Sequence, residues 1–417
     1  MRENPERVAW RVLLSAFAVF LLLCGTSIYI VQWYLFDSEI NIGVDLMAAR
    51  GTISMMLPNS EEPIAVSDRR LEQSLPFEVS TDTSQAALRF TDLRTGQPVA
   101  YIVLLHDSTV TLHNATAPRF RLNNAPYRIN LESDSGRVEV HILDNTRRDV
   151  EVTLTTPHST TTISDVGHYV IDTTDERTRV TTKRGLAYVY APSSHSIVEV
   201  PENHRTQVTR SSELPAIVPA ESNLLVNGDF LSPFTEGWTF YDDSVLPAGA
   251  ALNLRFGGRD VVVFDRSQER WPNLTLDHGE TGLVQTVNQD VRDYSYLELR
   301  GTFYVDEQSL STCGQLGSEC PMMMRMTYID EQGVEREYIQ GFYAYHDPSL
   351  DYPLTCDSCR AEHERISLQS WYTFRSGNLL TVLPAEQKPA IIQQVRFYAS
   401  GHAYRVYVSE IELLAGR

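Results

Sequence analysis

Past residue 50, no window of this 417-residue sequence keeps an apolar period near 3.6, and that lack excludes a core built of amphipathic helices. Catalytic phrases are missing as well. There is no Gly-x-Ser-x-Gly, no His-Glu-x-x-His and no P-loop, so no enzymatic activity is expected. Positive charge is in short supply: 35 Lys and Arg stand against 54 Asp and Glu, a net charge of −19 that argues against nucleic acid or an anionic lipid surface as partner. Only 5 cysteines occur, and one of them, Cys24, lies in an apolar run where it acts as a filler.

That run is the first feature present. Val12 to Phe36 carry no charged side chain, and as a helix rising about 1.5 Å per residue they span roughly 37 Å, enough for a hydrocarbon core of about 30 Å. Arg2, Arg7 and Arg11 precede the run, and Asp37, Glu39 and Asp45 follow it, an asymmetry that keeps residues 1–11 in the cytoplasm. Trp10, Trp33 and Tyr34 suit the two interfaces. A cleaved secretory signal would end in a small-residue site, which Ile30 to Phe36 do not offer. A lipoprotein signal would need a small residue before Cys24, where Leu23 stands. The reading is a single-pass anchor over 12–36 in the lipid bilayer, with everything C-terminal to it extracytoplasmic.

Residues 1–36 carry three arginines and two glutamates, so the ectodomain holds a net charge of −20. Its roughly 380 residues are too many for one β core, and two units are expected. Short alternating runs rich in Thr, Val, Tyr and Ile make it nearly all β. Residues 209–222, with two prolines and three serines in Ser211 to Ser222, are expected to be a linker.

Residues 45–208 contain two passages of one layout, Tyr127 to Ile142 around Gly136 and Arg179 to Tyr190 around Gly185, each expected to be a hairpin. The phrases Ala49-Arg-Gly51-Thr-Ile, Phe77 to Phe90, Thr109-Val-Thr-Leu112, Val152 to Pro157 and Gly167-His-Tyr-Val-Ile171, with these two passages, make the unit similar to the FecR domain. The resemblance implies a membrane-tethered extracytoplasmic β fold of two similar halves. In the family's best-known members that fold signals inward to a sigma factor through a cytosolic domain. Here only 11 residues precede the helix, too few to fold, so anti-sigma activity is not carried over, and a structural spacer or docking role stands beside envelope signalling.

Residues 223–417 open with Asn227-Gly228-Asp229-Phe230 and Gly237-Trp238, and close with an alternating strand through Tyr404 and Glu410 to Leu414. Together with Gly282-Leu-Val-Gln285 this resembles carbohydrate-binding-module jelly rolls, and the resemblance implies a β-sandwich. Sugar binding needs aromatic faces with amides and carboxylates beside them. Among Trp238, Tyr241, Trp271, Tyr338, Phe342, Tyr343, Tyr345, Trp371 and Tyr372, the preferred ligand-binding residues are Phe342, Tyr343, Tyr345 and Trp371, which flank a loop rich in Asp, His and Cys, whereas Trp238 reads as core. The resemblance also implies a structural calcium where first and last strands meet, with Asp229 and Glu410 as ligands, though both acids could equally be solvated strand ends.

Cys313, Cys320, Cys356 and Cys359 lie beyond the anchor in an oxidising compartment, so two disulfides are expected, in the local pairing 313 with 320 and 356 with 359. The competing reading is zinc on the four cysteines, although six residues between the first pair exceed the usual zinc spacing. His346, Asp347, His363 and Glu364 stand near the same loop as a candidate acid/base or metal cluster. The whole reads as a surface binding protein for glycan or cell-wall polymer, with a structural or assembly role on an envelope protein partner as the alternative.

Overall fold

The structure, a computed structural model, describes residues 5–416 apart from 59, 61, 72–74, 145–147, 212, 245, 246, 273 and 274. Arg2 lies outside the described residues, as do the details of the Arg7 side chain. Pro5–Gln32 is an α-helix that continues as a π-turn through Trp33–Asp37. The segment Ala9–Asp37 has a mean hydropathy of 2.2 with none of its apolar window buried, so it is long and apolar enough to cross a membrane. Almost no slack follows it, because the strand Glu39–Asn41 starts two residues later and pairs with Thr116 to Pro118. Arg119 N–H donates to Ser38 O (2.9 Å), and the Tyr34 ring meets Phe120 edge-on at 5.2 Å, so the exit of the helix is seated on the next unit.

Apart from the short helical turns Leu379–Val382 and Ala385–Gln387, the described residues after the helix are built on strands. Those from Glu39–Asn41 to Ile217–Pro219 form one hydrogen-bonded system that closes on itself around an aliphatic core including Leu46, Phe77, Phe90, Ile129, Val140 and Val180. Strict alternation supplies this core, since every second residue of a strand faces it. The two glycine passages are not hairpins. Tyr127–Ile142 is one 16-residue strand, paired with Thr109–Pro118 and Val150–Thr155 before Gly136, and with Gln97–Leu104 and Gly167–Thr173 after it. Likewise Arg177–Arg184 pairs in one sheet and Leu186–Ala191 in the other, with Gly185 between them. At both corners the chain changes sheets without reversing. Gly136 and Gly185 have φ of +91° and +94°, and a Cβ would lie 2.4 Å from the Ser108 Cα in one and 2.0 Å from the Tyr169 hydroxyl in the other, so only glycine fits. Alternation on both sides of a glycine looks the same for a corner as for a turn, which is why the local pattern misleads.

Inside the stretch expected to be a linker, Ile217–Pro219 adds an edge strand to His204 to Thr206, and Ser222–Asn223 already pairs with Leu414 and Ala415, so the connection itself is short. The remaining strands make a β-sandwich. One sheet, here the docked sheet, has the order Ala250–Phe256, Arg259–Asp265, Tyr404–Gly416, Tyr296–Gln308, Trp371–Arg375. The other, the open sheet, has the order Thr239–Asp242, Gly279–Asp290, Pro389–Gly401, Met322–Asp330, Glu335–Tyr343, Glu364–Arg365. Phe264, Phe303, Met324, Phe342, Phe397 and Val406 fill the space between them. Trp238 belongs to this core, edge-on to Phe397 at 4.8 Å with Nε1–H donated to Asn227 O.

The corner at Gly136 yields a test. Gly136→Ala should destabilise the chain by about 3 kcal/mol or more, because strain at positive φ adds to a backbone clash. Urea unfolding of the full chain in detergent micelles measures it, and a change below about 1 kcal/mol would contradict the corner.

Candidate functional site

The outer face of the docked sheet lies against the first unit. Gln85 spans the seam twice, donating Nε2–H to Thr373 O (3.1 Å) and accepting from Thr373 N–H (3.0 Å). Ser367 donates its N–H to Ala49 O and its hydroxyl to Ala48 O, and Arg50 pairs with Glu364 at 3.0 Å. The Arg259 guanidinium lies between the rings of Tyr101 (5.1 Å) and Trp371 (4.8 Å), one from each unit, beside Leu143 and Val261. Such stacking of a desolvated cation is worth about 2 kcal/mol.

Further along the seam the contacts become ionic. Lys183 Nζ reaches Glu412 at 2.6 Å and Glu410 at 3.5 Å, and His168 Nδ1 lies 3.1 Å from Glu410. Burial pushes the Glu410 carboxyl up, but Lys183 and His168 more than offset this and hold it well below the usual carboxylate range. Behind it, Glu298 is held by Arg300 and by Arg375 (3.0 Å). Its burial is likewise outweighed by Arg300 and Arg375, which keep its carboxyl at about 2. A cleft of about 1000 Å³ runs along this part of the seam, with Arg137, His141, His168, Arg259, Glu410 and Glu412 among its walls. Basic and acidic side chains nearly balance along it, unlike the acidic surface elsewhere.

These contacts decide where the expected site residues stand. Trp371 is 3% exposed because it is part of the seam, and Phe342 is 0% exposed between the sheets, 4.7 Å from Phe303. Tyr343 faces outward from the open sheet but is buried under the cysteine loops with Met323, Ile339 and Tyr398. Tyr345 alone of the four is in reach of solvent, at 45% exposure. The backbone alternation that carries Phe342 inward is legible in sequence, whereas the cover over Tyr343 and Trp371 comes from distant segments.

Asp229 and Glu410 both line the cleft. Asp229 is exposed, and Glu410 is committed to an ammonium and an imidazole, which leaves little for calcium, an ion that takes 6–8 oxygens. Cys313 pairs with Cys320 and Cys356 with Cys359 as disulfides, and four zinc thiolates would require both to be reduced. His363 stands between the two pairs with both nitrogens used: Nδ1 accepts from Gly341 N–H and Nε2–H is donated to Gly317 O. Burial lowers its pKa, in keeping with a neutral structural peg. Glu364 serves Arg50 and Tyr372, and Asp347 caps Ser349, so these neighbours in sequence do not form one cluster with His363.

The open sheet presents a second surface that sequence reading passes over. Register places Tyr241, Gly282, Tyr398 and Met323 in one cross-strand row of its outer face, and Val284, Arg396, Arg325 and Ile339 in the next. Arg396 lies over the rings of Tyr241 (5.0 Å) and Tyr398 (4.8 Å), and Arg325 lies near Tyr398 at 5.8 Å. Glu280 accepts the Tyr241 hydroxyl at 2.6 Å and sits 3.4 Å from Arg396, while Glu337 is 3.4 Å from Arg325. Burial and Glu280 push the Tyr241 hydroxyl far up, so it stays a donor. The Nε atoms of Arg325 and Arg396 have no hydrogen-bond partner. Alternation around Arg325 and Arg396 shows that each faces outward, but not that they are opposite one another.

No protein-family profile matches the sequence, and no curated protein does. Solved structures are similar over parts of it. A candidate anti-sigma factor from Parabacteroides distasonis is 12% identical, with a TM-score of 0.26, over 40% of this chain and 68% of its own. A family 11 carbohydrate-binding module from Clostridium thermocellum, in complex with a mixed-linked tetrasaccharide, is 11% identical (TM-score 0.26) over 45% of this chain and 93% of its own. The CBM22-1 xylan-binding domain of Paenibacillus barcinonensis Xyn10C is 13% identical (TM-score 0.27) over 48% and 98%. Similarity of this extent assigns neither a ligand nor a role to this chain.

The seam charges make stability depend on acid. The depressed Glu298 carboxyl contributes stability that is complete above its ordinary value of 4.5 and is lost as pH falls toward about 2, an effect on the order of 3 kcal/mol. Glu298→Gln should therefore be destabilising at pH 7, and the gap from the natural chain should close between pH 4.5 and 2. Thermal unfolding of both chains across that range measures the gap, and a constant difference would refute the assignment.

Proposed function

We propose that the chain is a membrane-tethered, extracytoplasmic binding protein that takes a saccharide polymer on the outer face of its open sheet. The carrying observation is the registered pair Arg325 and Arg396, partly exposed and set beside Tyr241, Glu280 and Glu337. Planar guanidinium groups and a phenol give flat surface for a pyranose ring, and the exposed parts of the guanidinium groups and carboxylates give partners for its hydroxyls. Like charges directly opposite on paired strands are unfavourable, and a ligand that bonds both offsets that cost. No catalysis is assigned to this face.

The rest of the chain supports display. In this reading residues 12–36 anchor it with the N-terminus cytoplasmic, the first unit stands directly on the membrane, and the seam holds the sandwich with its open sheet turned away from that unit. A protein partner on the same face is the rival.

Retention on insoluble polysaccharides tests the reading. Arg325→Ala with Arg396→Ala should weaken retention roughly tenfold or more, as expected for loss of hydrogen bonds from charged donors, without lowering the unfolding temperature by more than a few degrees. Undiminished retention in the double variant, or no retention of the natural chain by any glycan, would overturn it.

A further inference from the structure

The seam contains three metal-ligating side chains, Glu139, His141 and His168, of which only His168 has a role so far, through its Nδ1 on Glu410. Glu139 and His141 are two residues apart on Tyr127–Ile142, so both leave the same face of that strand. His168 is the register partner of His141 on the neighbouring strand Gly167–Thr173. Val138, Val140 and Ile142 point into the first unit's core, which turns Glu139, His141 and His168 toward the sandwich. The second unit covers them, leaving Glu139 and His168 buried.

Ligand atoms of the three lie within 4.8 Å of one another. The His168 ring is fixed from behind: with Nδ1–H donated to Glu410, Nε2 is left as the acceptor. That Nε2 lies 3.6 Å from Glu139 Oε2, beyond hydrogen-bond range. In a tetrahedral site with bonds of about 2.0–2.1 Å, neighbouring ligand atoms are about 3.4 Å apart, so the separation suits two ligands of one ion better than a donor and its acceptor. His141 lies face to face with His168, centroids 4.0 Å and planes 23° apart, so one ring turns out of the stack when both nitrogens point at one ion; the His141 Nε2 is also buried without a partner. Glu139 is steadied by Arg137 through Oε1 at 3.2 Å, leaving Oε2 free. Two free imidazole nitrogens and one carboxylate oxygen are thus assembled on two rigid paired strands, each of His168 and Glu139 held by a further charged group, as metal ligands are.

We propose that Glu139, His141 and His168 bind a divalent transition-metal ion of the zinc class at the seam between the two units. Two nitrogen donors favour such an ion over calcium or magnesium, which take oxygen. Of the cations that face the cluster, Arg137 holds the other oxygen of the ligand Glu139 itself, Lys183 is taken by Glu410 and Glu412, and Arg259 lies between the rings of Tyr101 and Trp371. Three protein ligands leave a coordination position, and His141 and His168 line the cleft from which water would fill it. The ion would tie Glu410 of the sandwich, through His168, to Glu139 of the first unit.

The test uses the full chain in detergent, without a polyhistidine tag and under oxidising conditions. After equilibration with zinc and exhaustive dialysis, elemental analysis should find about one zinc per chain, and zinc should raise the unfolding temperature of chelator-treated protein. His141→Ala, which breaks no hydrogen bond because the His141 ring nitrogen Nε2 has none, should lose that zinc and the shift while leaving the metal-free unfolding temperature unchanged. Should that variant not fold, cobalt(II) loading of the natural chain decides. Visible d–d bands without a thiolate charge-transfer band support the histidine and carboxylate site. A thiolate band places the ion on the cysteines and overturns the proposal, as do zinc at background level, absent cobalt bands, or unchanged zinc content in His141→Ala.

Discussion

The packing of the docked sheet on the first unit is the constraint from which the other features follow. It joins units whose cores are separate, and it does so with charges as much as with apolar area. Taking Lys183, Glu410 and Glu412 out of water costs several kcal/mol per ion, a cost recovered only when each finds its partner in the proper place. Sliding one unit over the other by a single residue would leave these charges buried and unpaired. The ionic part of the seam therefore fixes orientation, while the Tyr101, Arg259 and Trp371 stack and the Gln85 bridge supply attraction.

Orientation in turn decides which surfaces remain. A sandwich has two outer faces, and the seam takes one of them. The cysteine loops take part of the other, packing on Met323, Ile339 and Tyr343, so the exposed remainder is the strip around Tyr241, Arg325 and Arg396. At the opposite end the helix passes into Glu39–Asn41 with hardly a residue between, which leaves the first unit no freedom to swing far from the helix exit. The strip is thus presented through two stiff junctions, the helix exit and the seam.

Local chemistry carried much of this into the sequence, and distance hid the rest. An apolar helix long enough to cross a membrane is legible because it depends on neighbouring residues alone, and so are period-2 strands and the disulfide between Cys356 and Cys359. Gly136 and Gly185 misled because a corner and a hairpin share the same local pattern and differ only in which strands lie beside them. Trp371 reads as a binding residue because it flanks a loop rich in Asp, His and Cys, but it is buried in the seam under Arg259, with Tyr101, some 270 positions earlier, on the far side of that guanidinium. Arg325 and Arg396 carry no signal in sequence, since their meeting depends on the register of two strands about 70 residues apart.

The arginines of the two faces differ in a way that separates structure from function. At the seam Arg137, Arg300 and Arg375 each have a carboxylate, whereas Arg259 has two aromatic faces but leaves Nε and one Nη buried without a hydrogen-bond partner. On the open sheet Arg325 and Arg396 stand side by side, each with one carboxylate at a loose 3.4 Å and a guanidinium nitrogen that bonds nothing. A chain with 54 acidic residues has no shortage of anions to place there. A partly exposed pair of this kind can gain partners from outside the chain, which the arginines buried at the seam cannot.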